Sequence, residues 1–234
     1  MTVPEFPPFA GFPTGTTKFL AGLTKHNDRA WFAAHRADAD AFYLAPAQSF
    51  VAALGPKLQR ISASVRFDPR VNGSIGRIYR DTRFAKDKSP YKDHLDLMFW
   101  HGERKGWAHP VFWFRLRADR VMLGVGMYDF EPPQLAAYRA AVTDPVKGKA
   151  LAAAIAKVQK AGYQLGGDRR KKVPRGFDAD HPRAALLLHD GLTAMLEVTL
   201  PAELRGPKFV DWCAAHYKAQ WPIGSWLLKY VTTA

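Results

Sequence analysis

The chain has 234 residues, 47% apolar and 13% aromatic, enough to bury a large core. Thirty-four Lys and Arg against 21 Asp and Glu leave a net charge of +13, which favours anionic partners: nucleic acid, anionic lipid, or metabolites bearing phosphate or carboxylate. No run approaches the ~20 apolar residues of a membrane helix, the first residues lack a secretion-signal pattern, and a lone cysteine, Cys213, allows no internal disulfide. A cytoplasmic protein with no membrane insertion is expected.

Residues 1–13 are rich in Pro and Phe and read as an extended arm whose rings pack on the body. Thr16 or Thr17 is the expected cap of a helix to about His26, with Phe19, Leu20 and Leu23 on one face. Asn27 or Asp28 caps a second helix carrying Trp31 and Phe32. A third begins near Ala45-Pro46, where Pro suits the first turn. Its apolar stripe is Phe50, Val51, Leu54, Leu58 and Ile61, and Gly55-Pro56 is expected to interrupt it.

The middle of the chain switches to period two. Expected strands are Ser74–Arg80, His94–His101, Pro110–Arg117 and Val121–Tyr128, with Ala118-Asp119-Arg120 turning the last two into a hairpin. The alternation predicts an antiparallel sheet with one face on the helices and Asp96, Trp113 and Arg115 on the other. Gly124 and Gly126 leave a gap on one face, for a ligand or for a packed helix or ring. Helices from Pro132 or Pro133 through Val142 and from Asp144-Pro145 to Ala161 follow. Tyr163–Gly167 is extended, Leu192–Leu200 is a strand, and Pro201–Tyr217 and Pro222–Val231 read as closing helices. The fold expected is one α+β domain, 1–234, with a central antiparallel sheet of about four to six strands packed against N- and C-terminal helices.

Several stretches carry a resemblance: Gly11-Phe12-Pro13 with Phe19-Leu20 and Trp31-Phe32, then Asp68-Pro69-Arg70-Val71-Asn72-Gly73-Ser74, then Arg77 to Lys92, then Pro174 to Pro182. Together they resemble a bacterial and fungal family catalogued as domain of unknown function 2461. The resemblance implies one domain over nearly the whole chain. It implies no activity, cofactor or catalytic residue. Gly76 stands where the family pattern calls for a bulkier apolar residue, so looser local packing is expected.

Charge is concentrated in two stretches. From Arg66 to Lys92 there are eight bases against three acids. Arg77, Arg80, Arg83, Lys88 and Lys92 are candidate anion ligands, because Arg offers a planar donor fork and Lys a compact charge. Tyr79 and Tyr91 would shape the pocket, and Asp81 would orient the cations or move a proton. The alternative is a surface loop whose cations pair with neighbouring acids. From Asp168 to Arg183 there are six bases against three acids. Here Arg175, held between Pro174 and Gly176, is the candidate to complete the anion site. Asp178, Asp180 and His181 are candidates for holding a divalent metal or for acid–base chemistry, or else for a capped turn. His94 and Asp96 form a weaker acid/His pair. Cys213 and His216 lie three apart on an aromatic helix, where core packing is the simpler reading. No zinc spacing, Walker loop, Gly-x-Gly-x-x-Gly or nucleophile elbow is present, so the motifs name no cofactor. The chain is therefore expected to bind a small anionic ligand. The alternative is a nucleic-acid-binding module using the same basic segments.

Overall fold

Period-two alternation becomes one sheet in the computed structural model, which describes residues 6–103, 106, 108–167 and 169–232. Five antiparallel strands are formed: β1 (Leu95–Phe99), β2 (Val111–Leu116), β3 (Arg120–Met127), β4 (Gln164–Gly166) and β5 (Leu192–Thr199). Their order is β1-β2-β3-β5-β4, and Gln164 of β4 lies opposite Met195 of β5. Before the sheet come α1 (Thr14–Lys25), α2 (Arg29–Ala34), the single turn α3 (Arg36–Asp38) and α4 (Ala45–Ile61). A π-helical turn, Ala39–Leu44, leads into α4. Between β3 and β4 lie α5 (Pro132–Thr143) and α6 (Lys147–Lys160), and α7 (Phe209–Tyr230) closes the chain. The class is α+β, as the alternation predicts.

Several details differ from expectation. Ser74–Arg80 is not a strand; it makes only single bridges, Ile75 with Leu97 and Tyr79 with Tyr91. Gly76 does not loosen this passage. Its N–H donates to the Asp96 carbonyl at 2.8 Å, and a Cβ there would lie 3.2 Å from that same oxygen. A side chain there would be tight against the facing backbone, so the glycine keeps this passage close. Neither Thr16 nor Thr17 caps α1: Pro13 holds that position, and both hydroxyls donate to carbonyls, of Phe42 and Thr14. Asp28, not Asn27, caps α2, accepting from the Trp31 N–H at 2.8 Å. Gly55-Pro56 does not break α4, because Pro56 sits on the exposed side and Gly55 makes room for the Phe67 ring.

The two expected closing helices are one continuous helix through Pro222. Proline removes one helical bond, to the carbonyl of Lys218, and Lys218 is on the exposed side where water can bond it. Burial of Tyr217, Ile223, Trp226 and Leu227 holds the helix on both sides of the interruption. Gly126 is not a ligand gap. Its φ is +144°, and the place of its missing side chain is taken by the Leu192 carbonyl of β5.

The chain divides into two compact units. The first comprises Met1–Phe99, Trp113–Leu123 and Glu197–Ala215. Its core is a cluster of rings, with Phe50 5.0 Å from Phe9, 5.2 Å from Phe12, 5.3 Å from Phe114 and 5.5 Å from Phe209. Such ring pairs add about 0.5–1.5 kcal/mol each beyond their burial. Arg205 pins the arm by donating to the Phe12 and Pro13 carbonyls at 3.0 and 2.7 Å. The second unit comprises Trp100–Phe112, Gly124–Leu196 and His216–Ala234. Tyr138, Leu151, Val158, Leu192, Ile223 and Leu227 form its apolar centre. Here the Tyr138 hydroxyl and the Trp226 indole find carbonyl partners, of Leu186 and Lys147. Among the described residues no helix is long and apolar enough to cross a membrane.

Candidate functional site

The basic stretch Arg77–Lys92 forms a loop closed at its neck. Arg80 N–H donates to the Pro90 carbonyl at 2.9 Å, and Lys92 N–H to the Ile78 carbonyl at 2.7 Å. Asn27 grips the same neck, its amide exchanging two 2.9 Å bonds with the Tyr91 backbone. Tyr91 is buried and stacks on Phe32 at 4.2 Å, while Tyr79, 5.2 Å from Tyr91, is half exposed. The tyrosines therefore form the base of the loop.

Beyond the neck the cations lie on an exposed surface. Arg83 forks onto Asp81, with Nε at 3.0 Å and a terminal nitrogen at 2.7 Å. Arg80 pairs with Asp87, and Lys88 donates to the Thr82 carbonyl at 2.8 Å. The side-chain bond from Arg83, and then its backbone N–H, hold the Asp81 carboxyl down at about 2. Asp81 is thus a fixed carboxylate at neutral pH, an acceptor rather than a proton donor. Arg77 and Lys86 are exposed and form no ion pair among the described residues.

The other expected site residues lie in the second unit, where local bonds hold them. Arg175 is exposed beside Gly176, whose φ is +86°. Asp178 accepts from the Asp180 N–H at 2.9 Å, closing a turn. His181 accepts from the Arg183 N–H at 3.0 Å through Nδ1. Asp180 does not cap the helical turn that follows, whose N-cap is Arg183. In the neighbouring basic run Arg170 is tied to Asp190, Lys171 and Lys172 are exposed, and Asp168 lies outside the described residues. Cys213 is fully buried, and burial pushes its thiol well up. The His216 ring bonds the Tyr163 hydroxyl at 2.8 Å. Among the described residues no three His, Cys, Asp or Glu side chains gather as metal ligands would.

A denser arrangement stands on the sheet face of the first unit. Alternation in β1 buries Leu95, Leu97 and Phe99 and turns Asp96 outward. β2 does the same with Arg115, and the two residues meet: Arg115 Nε is 2.7 Å and a terminal nitrogen 3.2 Å from the Asp96 carboxylate. Asp96 also receives His94 Nε2 at 3.1 Å and Lys92 Nζ at 3.3 Å. The other ring nitrogen of His94 lies 2.7 Å from Asp93, to which Arg117 donates at 3.2 Å. Burial alone would raise both carboxyls. The bonds from His94 and Arg115 outweigh it at Asp96, and those from His94 and Arg117 at Asp93, so both stay below the usual carboxylate range.

Tyr43, on the π-helical turn, lies within reach of the Asp96 charge. Burial first, and Asp96 second, push its phenol well up, and its buried hydroxyl has no hydrogen-bond partner among the described residues. An unpartnered buried hydroxyl costs stability. Tyr43→Phe is therefore expected to hold the stability or raise it by up to about 1 kcal/mol, read from urea midpoints. A clear loss would show that the hydroxyl is bonded, as by a buried water.

This network faces a cleft of about 640 Å³. Arg115, Arg117 and Asp93 line it from the sheet, Thr24 and Lys25 from the end of α1, and Arg120, Met122 and Glu197 from β3 and β5. Arg120 is clamped between Asp119 at 2.8 Å and Glu197 at 2.5 Å. Lys25 is exposed and forms no ion pair among the described residues. Of the residues expected to bind an anion, Lys92 joins this network through Asp96, and the rest belong to the loop or to the second unit. Period two placed Arg115 with Asp96. Nothing in the spacing pointed to Lys25 or Arg120, which come from elements far apart in the chain.

The model of the family described as conserved hypothetical protein DUF2461 matches residues 15–226. The chain belongs to that family. The matched span takes in all but the first residue of α1, the loop, the sheet and most of α7, so both the cleft and the basic loop lie inside the family's domain. No curated protein matches the chain.

Proposed function

We propose that the chain binds a small anionic ligand, bearing phosphate or carboxylate, in the cleft beside β2. The observation that carries this reading is the convergence of Lys25, Arg115, Arg117 and Arg120 on one concavity. Its volume is that of sites for small metabolites, roughly 300–1,000 Å³. Arg115 and Arg117 spend only part of their five donors on the carboxylate that orients them, and the remainder can face a ligand, while Arg120 is held by two carboxylates and has fewer donors left. Asp93 and Asp96 then act as supports that fix the cations. Asp81, Asp178, Asp180 and His181 do not line the cleft, so the reading is one of binding and gives them no part in it.

Thermal shift with phosphate, sugar phosphates, nucleotides and dicarboxylates at millimolar concentration tests it. One class is expected to stabilise the protein at low and moderate salt alike, by about 2.7 kcal/mol at a hundred times Kd. Lys25→Ala, at an exposed position, should leave the unliganded melting temperature in place and weaken binding about tenfold. Absence of any shift, or a shift that Lys25→Ala and Arg117→Ala both leave unchanged, would overturn the proposal.

A further inference from the structure

We infer that the loop between Tyr79 and Tyr91 is a docking surface for single-stranded nucleic acid, a second site apart from the cleft. Phe84 is 95% exposed, in a chain whose other phenylalanines are largely buried. The Arg83 guanidinium lies 5.9 Å from its ring centroid. Tyr79, 53% exposed, offers a second ring, and its position is fixed by the bridge to the buried Tyr91. Around these rings the loop carries Arg80, Arg83, Lys86 and Lys88 against two acids, and Arg77 stands just before its neck.

Aromatic rings interleaved with cations are what an unpaired strand needs, since each base has a face to stack and each nucleotide a phosphate to neutralise. Arg77 and Lys86 stand free of ion pairs among the described residues. Arg83 is held in an exposed pair that contributes little and exchanges readily for phosphate, while Arg80, more covered, is held by Asp87 and the Ser89 carbonyl and presents its remaining donors. A duplex keeps its bases stacked and gives Phe84 nothing to hold. A lipid surface would repel Asp81 and Asp87 and engage only one deeply exposed ring. The exposed rings and the three forked arginines favour a single strand.

Fluorescence anisotropy with fluorescein-labelled 12-nucleotide DNA and RNA single strands, and with the matching duplex, tests the inference. Sedimentation with phosphatidylserine vesicles runs alongside. The single strand should bind more tightly than the duplex, with log affinity falling by about 0.7 per phosphate contact for each decade of salt. Phe84→Ala should weaken binding about tenfold or more with the circular dichroism unchanged. Arg77→Ala with Lys86→Ala should reduce the salt slope by one to two contacts. Equal affinity for the duplex, indifference to Phe84→Ala, binding to vesicles alone, or no binding would each overturn it. Lys25→Ala should leave strand binding intact, so this inference and the cleft reading fail separately.

Discussion

Gly126→Ala should be among the most damaging single substitutions in this chain, costing about 3 kcal/mol or more. Two effects add. The φ of +144° is one that a residue with a Cβ rarely adopts. The new Cβ would also lie 2.2 Å from the Leu192 carbonyl oxygen and 2.7 Å from the Thr193 Cα. Those are backbone atoms of the neighbouring strand β5, not the tip of a side chain, so relief requires moving a strand. Gly162 separates the effects: its φ is +89°, and nothing lies within 4 Å of where a Cβ would be. Gly162→Ala should therefore cost only the conformational part, about 1 kcal/mol. Urea denaturation of the two variants beside the parent reads the difference directly. Equal midpoints for the two would mean that β5 yields to the methyl group and that close approach of the strands is not what selects glycine here.

The sheet was legible because its signal is local. Leu95, Leu97 and Phe99 alternate with Asp96 and Met98, and the strand forms within a residue or two of that pattern. Ser74–Arg80, whose two isoleucines stand three apart, makes only isolated bridges, because a strand needs sustained alternation and a partner along its length. Pro222 misled for a related reason: local propensity argues for a break, while burial on either side holds one helix together. Charge was legible as an amount and not as an arrangement. The count of bases in Arg77–Lys92 says nothing of how Asp81 and Asp87 engage Arg83 and Arg80. The sheet-face network needs Asp96 and Arg115, 19 residues apart, and the cleft adds Lys25 from the first helix. The facing of Asp96 and Arg115 followed from period two. So did the pairing of His94 with Asp96, two apart on one strand face, whereas their meeting with Lys92 follows from the fold.

Asp96→Asn should show what that network contributes. The asparagine keeps the shape and removes the charge, leaving Lys92, His94 and Arg115 around a neutral amide. Breaking a largely buried set of charge-assisted bonds at one partner costs about 2–4 kcal/mol at pH 7, since the cations left behind stay partly desolvated. The effect has a pH signature. The folded-state pKa of Asp96 is depressed, so in the window below the ordinary carboxylate value of about 3.9 the unfolded chain binds the proton that the folded one refuses. The contribution of Asp96 is complete above about pH 5 and is lost as pH falls through the folded value. Urea midpoints of parent and variant should accordingly differ most above about pH 5, begin to draw together only as pH falls below about 4, and still differ at pH 3, because the folded value lies lower. Asp81→Asn is the contrast: it breaks an exposed pair with Arg83, both partners more than half exposed, and should leave the midpoint where it was. If Asp96→Asn behaves like Asp81→Asn, the sheet-face cations are as solvated as those of the loop. Arg115 would then not be held in place for an anion, and the cleft would lose the support on which its proposed selectivity rests.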